Sequence, residues 1–213
     1  SSTAGRRAFV RQIAWRDFHA QTMVMAPNLH EEPFRSEYRG IPWREDAEGL
    51  QAWKQGQTGY PIVDAGMRQL LEEGWMHNRV RMITASFLVK DLLIDWRLGE
   101  RWFRHQLLDA DVAQNAGNWQ WVAGTGTDAA PYFRIFNPVS QSKKFDPDGS
   151  YIRRYIPELA DLPPDLIHAP WEAAPLELLE HGVTLGDSYP VPVVDHAEAR
   201  DRCLDAYETA REV

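Results

Sequence analysis

The sequence predicts an all-α fold, on three observations. Apolar residues recur at helical spacing in one segment after another, and capping residues flank those segments. Alternation of apolar and polar residues, the mark of a half-buried strand, is scarce. Regular heptads and internal repeats are missing too, so a coiled coil does not fit. The expectation is a multi-helical domain of short and medium helices, with 1–213 forming one unit.

The elements follow in order. Phe9, Val10, Ile13 and Phe18 fall near helical period before Pro27, with Gln12 and Trp15 off that stripe. Residues 28–44 are polar and broken by Pro33, Gly40 and Pro42, a long loop of the kind that often carries function. A helix over 45–55 ends at Gly56, and the next opens at Pro61 and stops at Gly74, with Val63, Met67, Leu70 and Leu71 facing the core. Two more span 78–93 and 98–108, joined by a connection that carries Trp96. Asp109 and Asp111 then precede a short helical run expected to stop near Gly117. After a turn-rich stretch over 124–131, Asn137-Pro138 opens a helix bearing Gln141, Lys143 and Lys144, which ends by Asp146-Pro147. Prolines cut the remainder into short pieces until Asp195 and Glu198 cap a last helix through Ala210.

With 44% hydrophobic and 25% charged residues, the composition is that of a folded globular chain. The net charge of −8 argues against a nucleic-acid partner only until it is divided. Residues 1–155 hold 20 Lys+Arg against 18 Asp+Glu, a net of +2, whereas 156–213 hold 3 against 13, a net of −10. The acidity belongs to the C-terminal segment, and the rest is free to present a basic surface. Cys203 is the only cysteine, so an internal disulfide is excluded. The apolar run 82–89 is broken by Lys90 and Asp91, and 1–11 has no signal-peptide core. A cytoplasmic protein with no membrane partner is expected.

The chemistry concentrates between Trp75 and Trp121. On a helix, Asn78, Arg81 and Met82 share a face and Arg79 points elsewhere. A buried Arg81 wants Asp109 or Asp111 as partner, which is either a structural ion pair or one wall of a pocket for a conjugated ligand. Nine tryptophans are many for one domain. Trp53, Trp102 and Trp171 are assigned to packing.

Four runs of sequence carry a resemblance: Thr58-Gly-Tyr-Pro-Ile-Val-Asp64, Gly74-Trp-Met-His-Asn-Arg79, Lys90-Asp-Leu-Leu-Ile-Asp-Trp96 and Asn118-Trp-Gln-Trp-Val-Ala-Gly-Thr-Gly-Thr-Asp-Ala-Ala-Pro-Tyr-Phe-Arg134. In family order, from about Phe9 to about Tyr207, they resemble the flavin-binding half of the DNA photolyase/cryptochrome family. The resemblance implies FAD as cofactor, no metal, damaged DNA as partner and a monomer. It places Trp75, Asn78, Arg81, Asp109, Asp111 and Asn115 around the flavin, with the Asn115 amide offered to its N5 edge. Trp43, Trp96 and Trp119 become an electron-transfer chain from surface to flavin. Gln12, Trp15, Met82, Asn78 and Trp121 surround a flipped-out lesion, and Arg79, Arg134, Gln141 and Lys144 contact the backbone around it. The implied reaction is the splitting of cyclobutane pyrimidine dimers by an electron from excited reduced FAD.

Relatives acting on (6-4) lesions carry histidines where this chain has Asn78 and Met82, and plant-type sensors tend to carry Asp at the Asn115 position. Gln12 stands where dimer-splitting members typically have glutamate. The resemblance further implies that the chain begins after the family's antenna domain and its FAD-phosphate loop, of which Ser1-Ser-Thr3 would be the last trace. A cryptochrome-like light sensor and a helical interaction module without flavin are the competing functions.

Overall fold

A computed structural model describes residues 3–211. Of the expected phosphate-loop trace Ser1-Ser-Thr3, Ser1 and Ser2 lie outside the described residues and Thr3 is the first residue of a helix. Ten α-helices appear among those described: α1 (Thr3–Met25), α2 (Ala47–Gln55), α3 (Pro61–Glu73), α4 (Asn78–Ser86), α5 (Trp96–Gln106), α6 (Val112–Ala123), α7 (Pro138–Phe145), α8 (Ser150–Tyr155), α9 (Pro175–Glu180) and α10 (His196–Arg211). The described residues contain one isolated bridge, Leu185 with Tyr189, and no strand. The all-α expectation holds. Among the described residues no helix is long and apolar enough to cross a membrane.

Local chemistry sets most boundaries. Asp46, Asp111 and Asn137 each cap a helix by accepting a backbone N–H from Gly49, Gln114 and Ser140. Pro61 and Pro138 open α3 and α7, where a missing N–H costs nothing. Gly56, Gly74 and Gly124 close α2, α3 and α6 in the left-handed conformation. Asp195 caps α10 by accepting from both Ala197 and Glu198.

The central core joins α2 to α6 around Trp53, Met67, Leu70, Phe87, Leu88 and Trp96, all fully buried. Trp53 stacks on Phe103 with ring centroids 5.8 Å apart, and Trp102 and Trp171 pack at the margin of this core, as their packing assignment requires. A second cluster lies under α8 and α9, and a third joins α10 to Tyr38 and Ile41 of the long loop. Asp64 ties the C-terminal segment down. Its carboxylate is fully buried and accepts from Thr58 N and Oγ1, Gly59 N and the Tyr189 hydroxyl.

Three expectations need correction. The α6 helix does not stop near Gly117 but runs to Ala123, because Gly117 lets His19 of α1 pack against it, and a side chain there would meet the imidazole Cε1 at 2.7 Å. Trp96 is not in a connection: Asp95 caps α5, and Trp96 is its first, fully buried residue. Leu71 is exposed and leaves the α3 core stripe to Val63, Met67 and Leu70. The helix expected around Phe9, Val10, Ile13 and Phe18 is α1, and all four of these residues are exposed on it. The helix over 78–93 is real but ends in a π-helical turn, Phe87–Asp91, after which Leu93 takes a positive φ of 53°.

Candidate active site

A cavity of about 650 Å³, well within the usual range for a ligand site, opens between α1, α4, α5 and α6. Its lining brings together residues far apart in sequence: Gln12 and Trp15 from α1, Trp75 and Asn78, Arg81 and Met82 around α4, Asp109 and Asp111 before α6, and Asn115, Trp119 and Trp121 on α6. Every expected flavin-side and lesion-side residue lies there. Trp43 and Trp96, expected in the electron-transfer chain, are not in the lining, and neither are the expected backbone contacts.

One side of the wall is a polar framework. Arg81 donates through Nη2 to both Asp109 oxygens at 3.0 and 2.9 Å, and its Nε donates to the Met76 carbonyl at 2.8 Å. Asp109 is therefore the carboxylate that Arg81 selects, while Asp111 caps α6. Arg81 is half-buried rather than buried, so the pair keeps contact with water. Asn78 extends Nδ2 toward Met82 Sδ at 3.7 Å across one helical turn.

Glu100 sets the direction of the Asn115 amide. Its Nδ2 donates to the Glu100 carbonyl and to Glu100 Oε1, each at 2.9 Å. Both amide hydrogens are thereby used, and the atom left for a ligand is Oδ1, an acceptor. An acceptor suits a flavin whose N5 carries hydrogen. Glu100 is fully buried inside α5, and its second oxygen faces Arg104 Nη2 at 3.6 Å.

Trp119 is the deepest aromatic of the lining, at 2% exposure. Its ring meets Phe103 at 4.9 Å and Trp53 at 6.2 Å. Trp96 lies fully buried in the same core, and its indole Nε1 has no hydrogen-bond partner among the described residues. Trp43 is half-buried, joins the central core to the third cluster, and sets its ring edge-on to Tyr207 at 6.1 Å.

Sequence reasoning missed three contributors. His19 is buried in the lining, stacked on Trp15 at 6.0 Å, and burial lowers its pKa while Asp111 opposes the shift. Its spacing of four from Trp15 on one helix was the available signal. Gln120 is fully buried between Trp119 and Trp121, and donates to Leu29 O and Glu32 O while accepting from Phe34 N. It staples the loop that carries Trp43 to α6. Phe145, exposed on α7, carries Arg79 at 4.6 Å and Lys144 at 5.4 Å from its ring centre. That contact gathers two of the expected backbone-contact residues. Gln141 lies one turn earlier on α7, and Arg134 is exposed on the turn-rich segment before it.

Comparison with known proteins gives a family. The model for the FAD binding domain of DNA photolyase matches residues 9–209. The chain is 54% identical over 200 residues to a deoxyribodipyrimidine photo-lyase of Alkalihalophilus pseudofirmus, covering 94% of this chain and 42% of that protein. It is 54% identical over 204 residues to the one of Escherichia coli, covering 95% and 42%. The chain thus spans about two fifths of the length of the curated relatives it matches. Among solved structures, a class III photolyase from Agrobacterium tumefaciens superposes with a TM-score of 0.97 at 52% identity, covering all of this chain and 44% of that one. A Synechocystis cryptochrome follows at 0.91 and 41%, covering 96% and 42%. A cavity walled by an arginine–carboxylate pair, an acceptor amide and indoles fits a flavin, and the chain belongs to the FAD-binding domain family of the DNA photolyases.

Proposed function

We propose that this chain is the catalytic FAD-binding domain of a photolyase, splitting cyclobutane pyrimidine dimers in damaged DNA. The observation that carries the reading is the convergence of Trp75, Asn78, Arg81, Asp109, Asp111 and Asn115 with Gln12, Trp15, Met82 and Trp121 on one cavity. FAD, when bound, would supply light-driven one-electron chemistry. The protein holds it. Arg81, neutralised by Asp109 yet partly solvated, keeps positive charge where a reduced anionic ring would otherwise be disfavoured. Asn115 Oδ1 would accept a hydrogen bond from the flavin, and Glu100 fixes the amide so that this oxygen is the atom left free.

The lesion enters from the α1 side. A dimer stacked inside a duplex cannot reach the cavity, so it is flipped out, with Trp15 and Trp121 as aromatic walls and Met82 and Asn78 as floor. Arg79, Arg134, Gln141 and Lys144 grip the backbone around the opening without reading sequence. Trp119, Trp96 and Trp43 form the relay that reduces oxidised flavin. Trp96 suits the middle position: with no acceptor on Nε1, an oxidised indole keeps its proton and stays a strong oxidant toward Trp43. The protein acts as a cytoplasmic monomer, with 1–213 as one domain.

A light sensor of the cryptochrome kind is the second reading, favoured by the likeness to the Synechocystis cryptochrome. One experiment separates the two. The FAD-loaded protein is illuminated with an oligonucleotide containing a single thymine dimer, and intact thymines are counted after one turnover. Repair supports the photolyase reading. Flavin photoreduction without repair supports the sensor.

A further inference from the structure

Gly99 lies inside α5, where glycine is a poor helix former, and the packing supplies the reason for it. A methyl group at that position would stand 2.6 Å from Trp119 Cζ3 and 2.6 Å from Leu88 Cδ2, with Trp119 Cη2 closer still. The outer edge of the Trp119 indole therefore rests on the bare backbone of α5, and Leu88 of the π-helical turn closes the same notch. Trp96, one turn before Gly99, and Phe103, one turn after, occupy the same buried face of α5. Phe103 meets the Trp119 ring edge-on at 4.9 Å. Glu100, the next residue, holds Asn115, one turn before Trp119 on α6. Two adjacent residues of α5 thus seat two cavity residues one turn apart.

We propose that Gly99 is a positioning residue for electron transfer: by presenting no side chain it lets Trp119 bridge from the cavity wall to the helix that carries Trp96. The inference rests on the relay reading above. One added carbon leaves the indole only the path outward from α5, because Leu88 fills the other side of the notch. The ring then shifts away from the helix that carries Trp96. Transfer between aromatics weakens steeply with distance, so the change reaches the relay before it reaches the fold.

The test is Gly99→Ala, alone and with Trp119→Phe, whose shorter ring lacks the clashing outer atoms. In the FAD-loaded protein, transient absorption should show Gly99→Ala photoreducing the flavin more slowly, by up to roughly 10²-fold, the scale of a displacement of about 1 Å at a reacting group. Before FAD is added, its indole near-ultraviolet dichroism should change and its melting midpoint fall, although alanine is the better helix former. In the Trp119→Phe background the same substitution should leave the melting midpoint unchanged or raised, the coupling expected of residues in contact. If Gly99→Ala does not fold while the double variant does, the seat is supported; if neither folds, or both show the same melting shift, it is overturned. A normal photoreduction rate in Gly99→Ala beside a suppressed one in Trp119→Phe overturns the Gly99 role alone. A normal rate in Trp119→Phe overturns the relay itself.

Discussion

On the α5–α6 side of the cavity Trp119 is 2% exposed, whereas on the α1 side Trp15 is 40% exposed and Phe9, further along the helix, 67%. The difference extends to the polar groups. Asn115, Asp109 and Arg81 are each held by hydrogen bonds to charged or backbone partners. Gln12 lines the cavity as an exposed residue. The first wall can fix a ring and an electron path closely, because Trp119 and Phe103 sit in a dense core and the polar members are held by hydrogen bonds. The second wall can admit something large and varied. A site that must hold one ligand permanently and exchange another has a use for both.

The largest expected effect breaks the closed wall. Trp119→Phe should slow photoreduction of oxidised FAD by at least about tenfold, the loss that roughly 1.4 kcal/mol of barrier brings. Trp96→Phe should be nearly as severe and Trp43→Phe milder, since solvent can reach the outer end of the path. The check is the yield of reduced flavin per flash in the three variants. An unchanged yield in Trp119→Phe would sink the assignment of this wall to electron transfer.

Next in size is the junction of cofactor and framework. Charged hydrogen bonds contribute about 1.5–3 kcal/mol when dry, and the exposure of Asp109 argues for the low end. Arg81→Ala should therefore weaken FAD binding by roughly tenfold, about 1.4 kcal/mol. Fluorescence titration of the flavin measures it. Asp109→Asn should weaken binding less, since Arg81 keeps its bond to the Met76 carbonyl. Equal affinity of Arg81→Ala and the unaltered chain would mean that the pair is structural.

A smaller effect tests what stands behind the closed wall. Lys90 is buried and donates to the Ala123 carbonyl, at the end of α6, and to the Tyr132 carbonyl. Burial pulls its pKa from 10.5 down to about 8, with Cys203 opposing. From pH 8 upward the unfolded chain holds a proton that the fold has released, so stability rises with pH. Burial also pushes the Cys203 thiol from 9.0 up to about 11, which reverses the sign for that group above pH 9. Buried tyrosines such as Tyr60, raised by burial and by Asp91, add to the reversal above pH 10. The net gain is confined to about pH 8 to 9 and amounts to about 1 kcal/mol. Urea unfolding at half-unit steps should show it, and Lys90→Met should show none. A rise that persists in Lys90→Met would assign it to another group.

The two walls also differ in how far they could be read from sequence. Cap chemistry at Asp111, Asn137 and Asp195 and left-handed glycines at 56 and 74 gave boundaries directly, because these are local effects. The Arg81 partner was narrowed to two carboxylates on charge grounds, and only the fold chose between them. The reading of Gly117 as a helix end failed because a glycine that admits a neighbouring ring looks the same in one dimension as one that ends a helix. Gln120 and Gly99 act through contacts with residues distant in the chain, so no local pattern announces them. On α1, helical period was right about the helix and silent about what its apolar face meets.

The smallest expected effect falls on the open wall, at Gln12. The family resemblance sets this residue against the base edges of the flipped lesion, where typical dimer-splitting members have a glutamate. An amide can donate a hydrogen bond there but cannot readily pass on a proton. Gln12→Glu should therefore raise the quantum yield of repair by a few-fold at most. General-acid assistance reaches about 10²-fold only where proton transfer limits the rate, and the splitting of a radical anion need not be so limited. Stability should not change, because Gln12 is exposed and its removal orphans no partner. Binding of damaged DNA should hardly change either, since the proposed phosphate contacts from Arg79, Arg134 and Lys144 would dominate affinity. Single-turnover repair of a dimer-containing oligonucleotide under fixed light, beside a binding titration at fixed salt, measures both. A repair yield that stays the same or falls in Gln12→Glu would mean that Gln12 is already adequate or lies outside the lesion pocket, and Trp15 and His19, stacked together on the same helix, would be the next residues to vary.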